Sequence, residues 1–151
     1  MNKTTLKTFL AVTALVASSI GVAATTPKTV SYNFAILRVV DGDTVEIAAP
    51  YLPAPLQPKL SLRVYGVDTP EKGFRAECAG EAALGEAATA FTKSVIEAGT
   101  YKRIDLMKWD KYGGRILGDV NIDGRSLRQL LIERGFAREY YGDAKTSWCT
   151  K

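Results

Sequence analysis

The sequence predicts one small α+β domain, mainly β, in which five strands form a closed or partly closed barrel such as the OB-fold, with two helices. Two observations predict this class. The 151 residues are 46% hydrophobic and 24% charged, which is typical of an ordinary globular chain with a single core. Short β-rich runs and helical patterns follow one another in the order three strands, helix, two strands, helix.

Residues 1–24 have the pattern of a secretory signal peptide, which leaves 25–151 as the domain. Lys3 and Lys7 precede an uncharged run that is rich in Ala, Val and Leu, and cleavage is expected after Ala24, or alternatively after Ala23. The run is short of the roughly 20 apolar residues that span a bilayer, so an uncleaved anchor is the weaker interpretation. We therefore expect an exported monomer, secreted or periplasmic, with no stable membrane association.

The five strands are predicted from short runs rich in β-branched residues. They cover Thr29–Val40, Val45–Ala48, Leu60–Val67, Tyr101–Met107 and Arg115–Ile122. Asp41-Gly42 between the first two runs predicts a hairpin turn, with the glycine at a positive φ. The four prolines of Ala49–Lys59 predict a surface loop.

Two helices are predicted from periodicity and capping residues. Apolar residues recur at helical spacing from Gly80 to Ala98, and Gly99 lies just past the end. The segment 126–129, SLRQ, fits a capping box that begins a second, short helix, and Gly135 ends it.

Cysteine and histidine usage limits the chemistry. Cys78 and Cys149 both lie in the exported part, where an even cysteine count favours a disulfide over a two-thiolate metal site. Histidine is absent, which excludes hydrolase mechanisms that need it. The net charge is +4, and +2 without residues 1–24, so charge alone does not indicate a polyanionic partner.

Three motifs contain more polar groups than a turn needs, although each alone also fits an ordinary turn or loop. In DGDT, at 41–44, Asp41 and Gly42 are enough for the hairpin, and Asp43 is left without a structural role. RVYGVDTPE, at 63–71, presents a guanidinium and two carboxylates within nine residues, and a phosphate fits the guanidinium fork. WDKYGGR, at 109–115, offers a second arginine and a tyrosine.

In this order the motifs DGDT, R-x-x-x-x-DTPE and DKYG-(G)-R resemble the staphylococcal nuclease (thermonuclease) family, from about Ile36 to Tyr141. That family has the five-stranded OB barrel. The resemblance implies a calcium ion held by the carboxylates of Asp43 and Asp68 and the carbonyl of Thr69, with waters and substrate completing the ligands. Asp41 would lie behind them and orient a water on the ion.

The resemblance also implies roles at the substrate. Arg63 and Arg115 would hold the phosphate oxygens and stabilise charge in the transition state, and Glu71 would orient or deprotonate the attacking water. The implied substrate contacts are Lys111, Tyr112 and Tyr141, with Tyr140 as the alternative for packing. The implied activity is calcium-dependent hydrolysis of DNA and RNA that leaves 3′-phosphate ends.

The chain departs from the family pattern at three places. The second glycine of KYGGR puts the position of Arg115 in doubt, the Pro-rich loop is longer, and the chain stops soon after Tyr141. One alternative is a non-catalytic OB-fold module that binds nucleic acid, and another is an enzyme for a different phosphodiester substrate. Both arginines, both aspartates and Glu71 are present, which favours the nuclease.

Overall fold

Strands dominate the fold, and two helices flank them. The computed structural model describes residues 29–149, so the predicted signal peptide at 1–24 lies outside the described part. The helices are α1 (Ala79–Ala98) and α2 (Leu127–Glu133), and a short 3-10 turn covers Gly73–Arg75. The strands are β1 (Val30–Tyr32), β2 (Ile36–Asp41), β3 (Thr44–Ala48), β4 (Lys59–Val64), β5 (Val67–Asp68), β6 (Lys102–Trp109), β7 (Arg115–Ile122), β8 (Arg125–Ser126) and β9 (Arg138–Glu139).

The main sheet is open and mixed. Its strand order is β1-β6-β7-β4-β3-β2, with β8 added to β7, while β5 and β9 form a separate antiparallel pair. Neighbours in the main sheet are antiparallel except β4 and β7, which run parallel with Arg63 opposite Leu117. This mainly β architecture with two helices confirms the predicted fold class. It also brings the two arginine-bearing strands side by side.

Two of the five predicted strands are each divided in the structure. The run 29–40 is broken between β1 and β2, because β1 pairs with β6 while β2 pairs with β3. The run 60–67 is broken at Gly66, which has a φ of +80° and separates β4 from β5. The two parts of each divided run pair with different strands. The breaks therefore depend on where those partner strands lie in the fold.

Gly42 is required because the turn packs closely against α1, and not because it adopts a positive φ. The predicted β2–β3 hairpin forms, with Asp41 paired to Thr44, but the predicted positive φ at Gly42 is wrong. A Cβ at this glycine would lie 2.9 Å from the Ala88 Cβ of α1, and its carbonyl accepts a 2.6 Å hydrogen bond from the Thr92 hydroxyl. The turn is therefore held directly against the first helix, which orients both of its aspartates.

Both helices begin and end close to the predicted positions. Cys78 caps α1, and its sulfur accepts a hydrogen bond from the backbone N–H of Glu81. Ser126 caps α2 by accepting from the N–H of Gln129, but the Gln129 side chain donates to Glu133 instead of returning to the cap, so only half of the predicted capping box forms. Neither described helix is both long and apolar enough to cross a membrane.

The core lies between the sheet and the two helices. Alternate residues of β7 are buried, as expected for a strand with one face on the core. The buried apolar residues form one cluster, which includes Val45, Ile47, Leu62, Val64, Ile104, Val120, Leu127 and Leu131. At the C-terminal end, the predicted disulfide between Cys78 and Cys149 is present and ties the end of the described chain to the start of α1.

Candidate active site

Three aspartates lie together where the β2–β3 turn meets β5. The side chains of Asp43 and Asp68 are almost completely buried, with residue exposures of 1% and 4%, and Asp41 is half-buried beside them. Within the described structure the buried Asp41 Oδ1 has no partner, whereas the buried Asp43 Oδ2 and Asp68 Oδ1 contact the cationic nitrogens of Arg63 and Lys145. Buried carboxylate oxygens are costly unless a cation or a donor compensates them.

Arg63 on β4 connects the two buried aspartates. Its Nη1 donates to Asp43 Oδ1 at 2.9 Å, its Nη2 lies 2.8 Å from Asp43 Oδ2, and the same nitrogen is 3.8 Å from Asp68 Oδ1. Burial raises the pKa of Asp43 to about 7 despite the opposing charge of Arg63, and the nearby Asp41 charge adds to the rise. The Arg63 guanidinium alone therefore does not compensate the burial of an ionised Asp43.

The C-terminal segment supplies further partners that sequence reasoning missed. Lys145 Nζ lies 2.7 Å from Asp68 Oδ1 and 3.7 Å from Glu71 Oε1, and the Trp148 indole N–H donates to Asp68 Oδ2 at 3.1 Å. Both residues precede Cys149, whose bridge to Cys78 holds this segment over the aspartates. Their distance from Asp68 in the sequence left no local signal, and only the disulfide pairing indicated that this segment folds back.

The oxygen-rich cluster fits a hard divalent cation. Calcium binds carboxylate and carbonyl oxygens, and the buried carboxylates of Asp43 and Asp68, which now contact the cations of Arg63 and Lys145, are of this kind. Thr69, the third predicted ligand, is buried directly after Asp68. That Asp43, Asp68 and Thr69 hold a calcium ion remains a prediction.

A second group of potential ligands is less suited to a metal than the aspartates are. It consists of Glu77, Glu81 and Cys149. The Cys149 sulfur is already bonded to Cys78, so it offers no thiolate. The buried Glu81 carboxylate accepts backbone hydrogen bonds from Glu71 at 3.2 Å and from Glu77 at 2.7 Å. Its role is to fix the loop that carries Glu71.

Glu71 stands at the edge of the aspartate cluster. It is half-buried after Pro70, and its Oε2 lies 3.4 Å from Arg75 Nε. Arg75 also donates to Asp41 Oδ2 at 3.2 Å, so one guanidinium links these two carboxylates. Sequence reasoning missed Arg75 as well, because residues 71–75 form a loop and a 3-10 turn, where helical spacing gives no signal for such a pair.

A cavity of about 610 Å³ lies beside the aspartates. Arg63, Glu71 and Arg115 all line it, and Arg63 also contacts Asp43 and Asp68, which are not among its lining residues. Arg115 donates from Nε to Asp110 Oδ2 at 2.6 Å and pairs with Ser61 in the ladder that also places Arg63 opposite Leu117. The structure thus places both arginines and the glutamate at one surface.

The extra glycine before Arg115 is accommodated within the turn. Gly113 and Gly114 both have positive φ, at +69° and +64°, and nothing lies within 4 Å of a Cβ built on either. Because the turn takes up both glycines, β7 begins at Arg115 with that residue at the cavity. The doubt that the sequence raised about this arginine is resolved in favour of the cavity position.

The predicted substrate contacts surround the same cavity. Its rim includes Lys111, Tyr112, Tyr140 and Tyr141. The Tyr141 hydroxyl accepts from Arg128 Nη2 at 2.7 Å, and its ring meets the edge of Tyr65 with centroids 5.7 Å apart. Tyr141 is thereby held in place, whereas Tyr112 is largely exposed, with the Lys111 ammonium 5.0 Å from its ring centroid.

These features are those of one protein family. A model described as staphylococcal nuclease homologue matches residues 61–149, and the chain belongs to that family. The match covers Arg63, Asp68, Glu71 and Arg115 and begins after Asp43.

A curated relative points the same way. The chain is 31% identical over 112 residues to endonuclease YncB of Bacillus subtilis (strain 168), an alignment that covers 72% of this chain and 48% of the relative. The chain therefore spans about half the length of this relative.

Proposed function

We propose that this protein is an exported, calcium-dependent nuclease that hydrolyses phosphodiester bonds in DNA and RNA and leaves 3′-phosphate ends. One observation carries the proposal: Arg63, Glu71 and Arg115 line a single cavity, and Arg63 connects that cavity to the buried pair Asp43 and Asp68. Family membership and the similarity to an endonuclease support the same activity.

The aspartates are suited to hold the metal. Asp43 and Asp68 would ligate calcium with the carbonyl of Thr69, and Asp41 would orient a water beside it. When bound, the ion would offset the buried negative charge and polarise the phosphate. Binding requires Asp68 to exchange its contact with Lys145 for the ion, because the ammonium lies 2.7 Å from one of its oxygens.

The cavity residues would act on the phosphodiester. The guanidinium forks of Arg63 and Arg115 can hold non-bridging phosphate oxygens and stabilise the charge that grows on them. Glu71 would orient the attacking water and accept its proton. The new bond joins this water oxygen to phosphorus, the bond from phosphorus to the 5′ oxygen breaks, and that oxygen takes up a proton.

Export is part of the proposal. The Cys78–Cys149 bridge is the kind of covalent link that persists in oxidising compartments. It agrees with the signal-peptide pattern of residues 1–24, and we propose that the released domain acts as a monomer in the periplasm or outside the cell.

A non-catalytic binding module is the second candidate. It is supported by the ion pairs within the site, because the aspartates already contact basic side chains. These basic residues are Arg63, Arg75 and Lys145. Such pairing would suit a module that keeps the fold and the basic cavity without needing a metal. The two candidates differ in whether a bound strand is cut.

The test compares Glu71→Gln with Glu97→Gln in calcium, using a labelled single-stranded oligonucleotide. Glu97 is an exposed helix residue whose carboxylate lies 3.8 Å from Lys93, so its variant is a matched control. We expect Glu71→Gln to lower kcat by about 10²–10⁴, the usual contribution of a positioned proton acceptor, while still binding the strand. Equal activity in the two variants would remove Glu71 from the mechanism, and binding without cleavage by the unmodified protein would favour the module.

A further inference from the structure

A second groove lies beside the candidate active site and has no part in the chemistry proposed above. Its volume is about 370 Å³, and it runs between strands β1 and β6 and the Pro-rich loop. Three exposed aromatic side chains, Tyr32, Tyr51 and Trp109, are among its lining residues. The remaining lining residues are Val30, Leu52, Leu60, Leu106, Met107, Lys108 and Ile116.

Contacts within the protein hold the aromatic side chains of the groove in place. Tyr32 stacks on Phe34 with ring centroids 4.8 Å apart and planes within 6°, and Phe34 lies 5.5 Å from Tyr51. The base of the Pro-rich loop is closed by a 2.8 Å hydrogen bond from the Ala49 N–H to the Pro58 carbonyl. An aromatic surface fixed in this way loses little conformational entropy when a planar group stacks on it.

The groove is continuous with the candidate active site. Lys108 and Trp109 line both cavities, and the Lys108 ammonium is 5.0 Å from the ring centroid of Tyr65 on the active-site side. Lys108 is also the one charged residue among the described groove-lining residues, and its charge is positive. A ligand that passes from one cavity to the other would therefore meet a cation between two aromatic surfaces.

We propose that this groove binds the unpaired bases of a single-stranded nucleic acid whose phosphodiester lies at Arg63 and Arg115. The inference rests on the proposed nuclease function and names a second surface that contacts the strand beyond the cleaved phosphodiester. Apolar aromatic surfaces with a nearby cation are the common means of binding single strands, because every base has a face that can stack. In a duplex those faces are already stacked within the helix, so the groove selects against paired substrate.

The binding test uses the full chain in chelator, which prevents cleavage. Its probes are a labelled thymidylate strand of about eight nucleotides, within the usual site sizes for such surfaces, a thymidylate dinucleotide and a duplex of the same length. We expect the longer strand to bind at least about tenfold more tightly than the dinucleotide.

Tyr51→Ala and Tyr32→Ala test the groove itself. Each is expected to weaken binding of the long strand by about tenfold, the effect of losing one base stack, and to leave dinucleotide binding unchanged. Tyr101→Ala is the matched control, because Tyr101 is 53% exposed against 55% for Tyr51 but lies outside the groove. Circular dichroism confirms that each variant is folded.

Two results would overturn the proposal. One is equal binding of the long strand by Tyr51→Ala, Tyr32→Ala and Tyr101→Ala, and the other is duplex binding as tight as single-strand binding. A change of oligomeric state in the groove variants, measured by light scattering, would instead assign the groove to a second copy of the chain.

Failure of this inference can be distinguished from failure of the proposed function. Cleavage of the dinucleotide in calcium needs the first cavity alone. Dinucleotide cleavage without any gain for longer strands would remove the groove and keep the nuclease. Length-dependent binding in chelator without cleavage of any probe in calcium would keep the groove and remove the nuclease.

Discussion

Gly85 on helix α1 controls how closely the helix approaches Glu71. A Cβ built at this glycine would lie 2.4 Å from the Glu71 carbonyl oxygen, 2.7 Å from the Glu71 carbonyl carbon and 2.9 Å from the Pro70 carbonyl oxygen. All three atoms belong to the backbone, so no side chain can rotate to make room. Gly85→Ala must therefore separate the helix from this turn, by about 1 Å if ordinary contact distances are to be restored.

The size of the effect follows from two opposing terms. Overpacking a buried contact costs about 1–3 kcal/mol. Replacing glycine by alanine within a helix stabilises the helix by about 1 kcal/mol. We expect a net loss of about 0–2 kcal/mol in the free energy of unfolding, together with a displaced Glu71. Because a misplacement of this size can lower turnover about 10²-fold, activity should fall much more than stability.

Urea unfolding and initial cleavage rates measure the two effects, with Gly80→Ala as the control. Gly80 lies on the same helix, but a Cβ there would meet only the Cys78 sulfur at 4.0 Å, so that variant should keep its activity and be at least as stable as the unmodified protein. If Gly85→Ala were as active as Gly80→Ala, the close approach of α1 would not be what positions Glu71.

Three further outcomes test the site and its covalent support. Reduction of the Cys78–Cys149 disulfide, which joins residues 71 positions apart, should lower the free energy of unfolding by about 4 kcal/mol in urea titrations. An unchanged melting temperature after reduction would contradict a stabilising role for the disulfide-linked tail. Lys145→Met should strengthen calcium binding in calorimetry because no ammonium competes at Asp68, and weaker binding would show that the lysine assists the ion instead. The Asp43 pKa is raised to about 7, so the metal-free protein should lose stability as pH rises from about 4 to 7. The rise in melting temperature that calcium causes should grow between about pH 6 and 8, because the ion binds the deprotonated carboxylate. A calcium-induced rise that does not change with pH would mean that calcium binding is not linked to the ionisation of Asp43.

Local patterns were sufficient for the parts of the site that lie within short motifs. The segment from Arg63 to Glu71 spans a strand, a turn and the start of a loop, so its polar residues meet through local geometry alone. The Cys78–Cys149 pairing was also predictable, because a chain with two cysteines leaves one intramolecular choice. The fold class followed from the order of the elements, which the sheet and the two helices preserve.

Long-range contacts could not be predicted in this way. Lys145 and Trp148 reach Asp68 because the β5–β9 pairing and the disulfide together fold the C-terminal segment back across the site, and no periodicity in the segment indicates this. Gly42 was predicted for the wrong reason, since its partners, Ala88 and Thr92, come from a helix more than 40 residues later. Packing between distant segments decided all three.

Cleavage of a labelled single strand by the unmodified chain, with calcium and then with chelator, tests the central claim most directly. The proposal predicts cleavage in calcium, loss of cleavage in chelator, recovery when calcium is restored, and product ends that a polymerase extends only after a phosphatase has removed the 3′-phosphate. A strand that is bound but never cut, or that is cut equally well in chelator, would contradict a calcium-dependent nuclease built on Asp43 and Asp68.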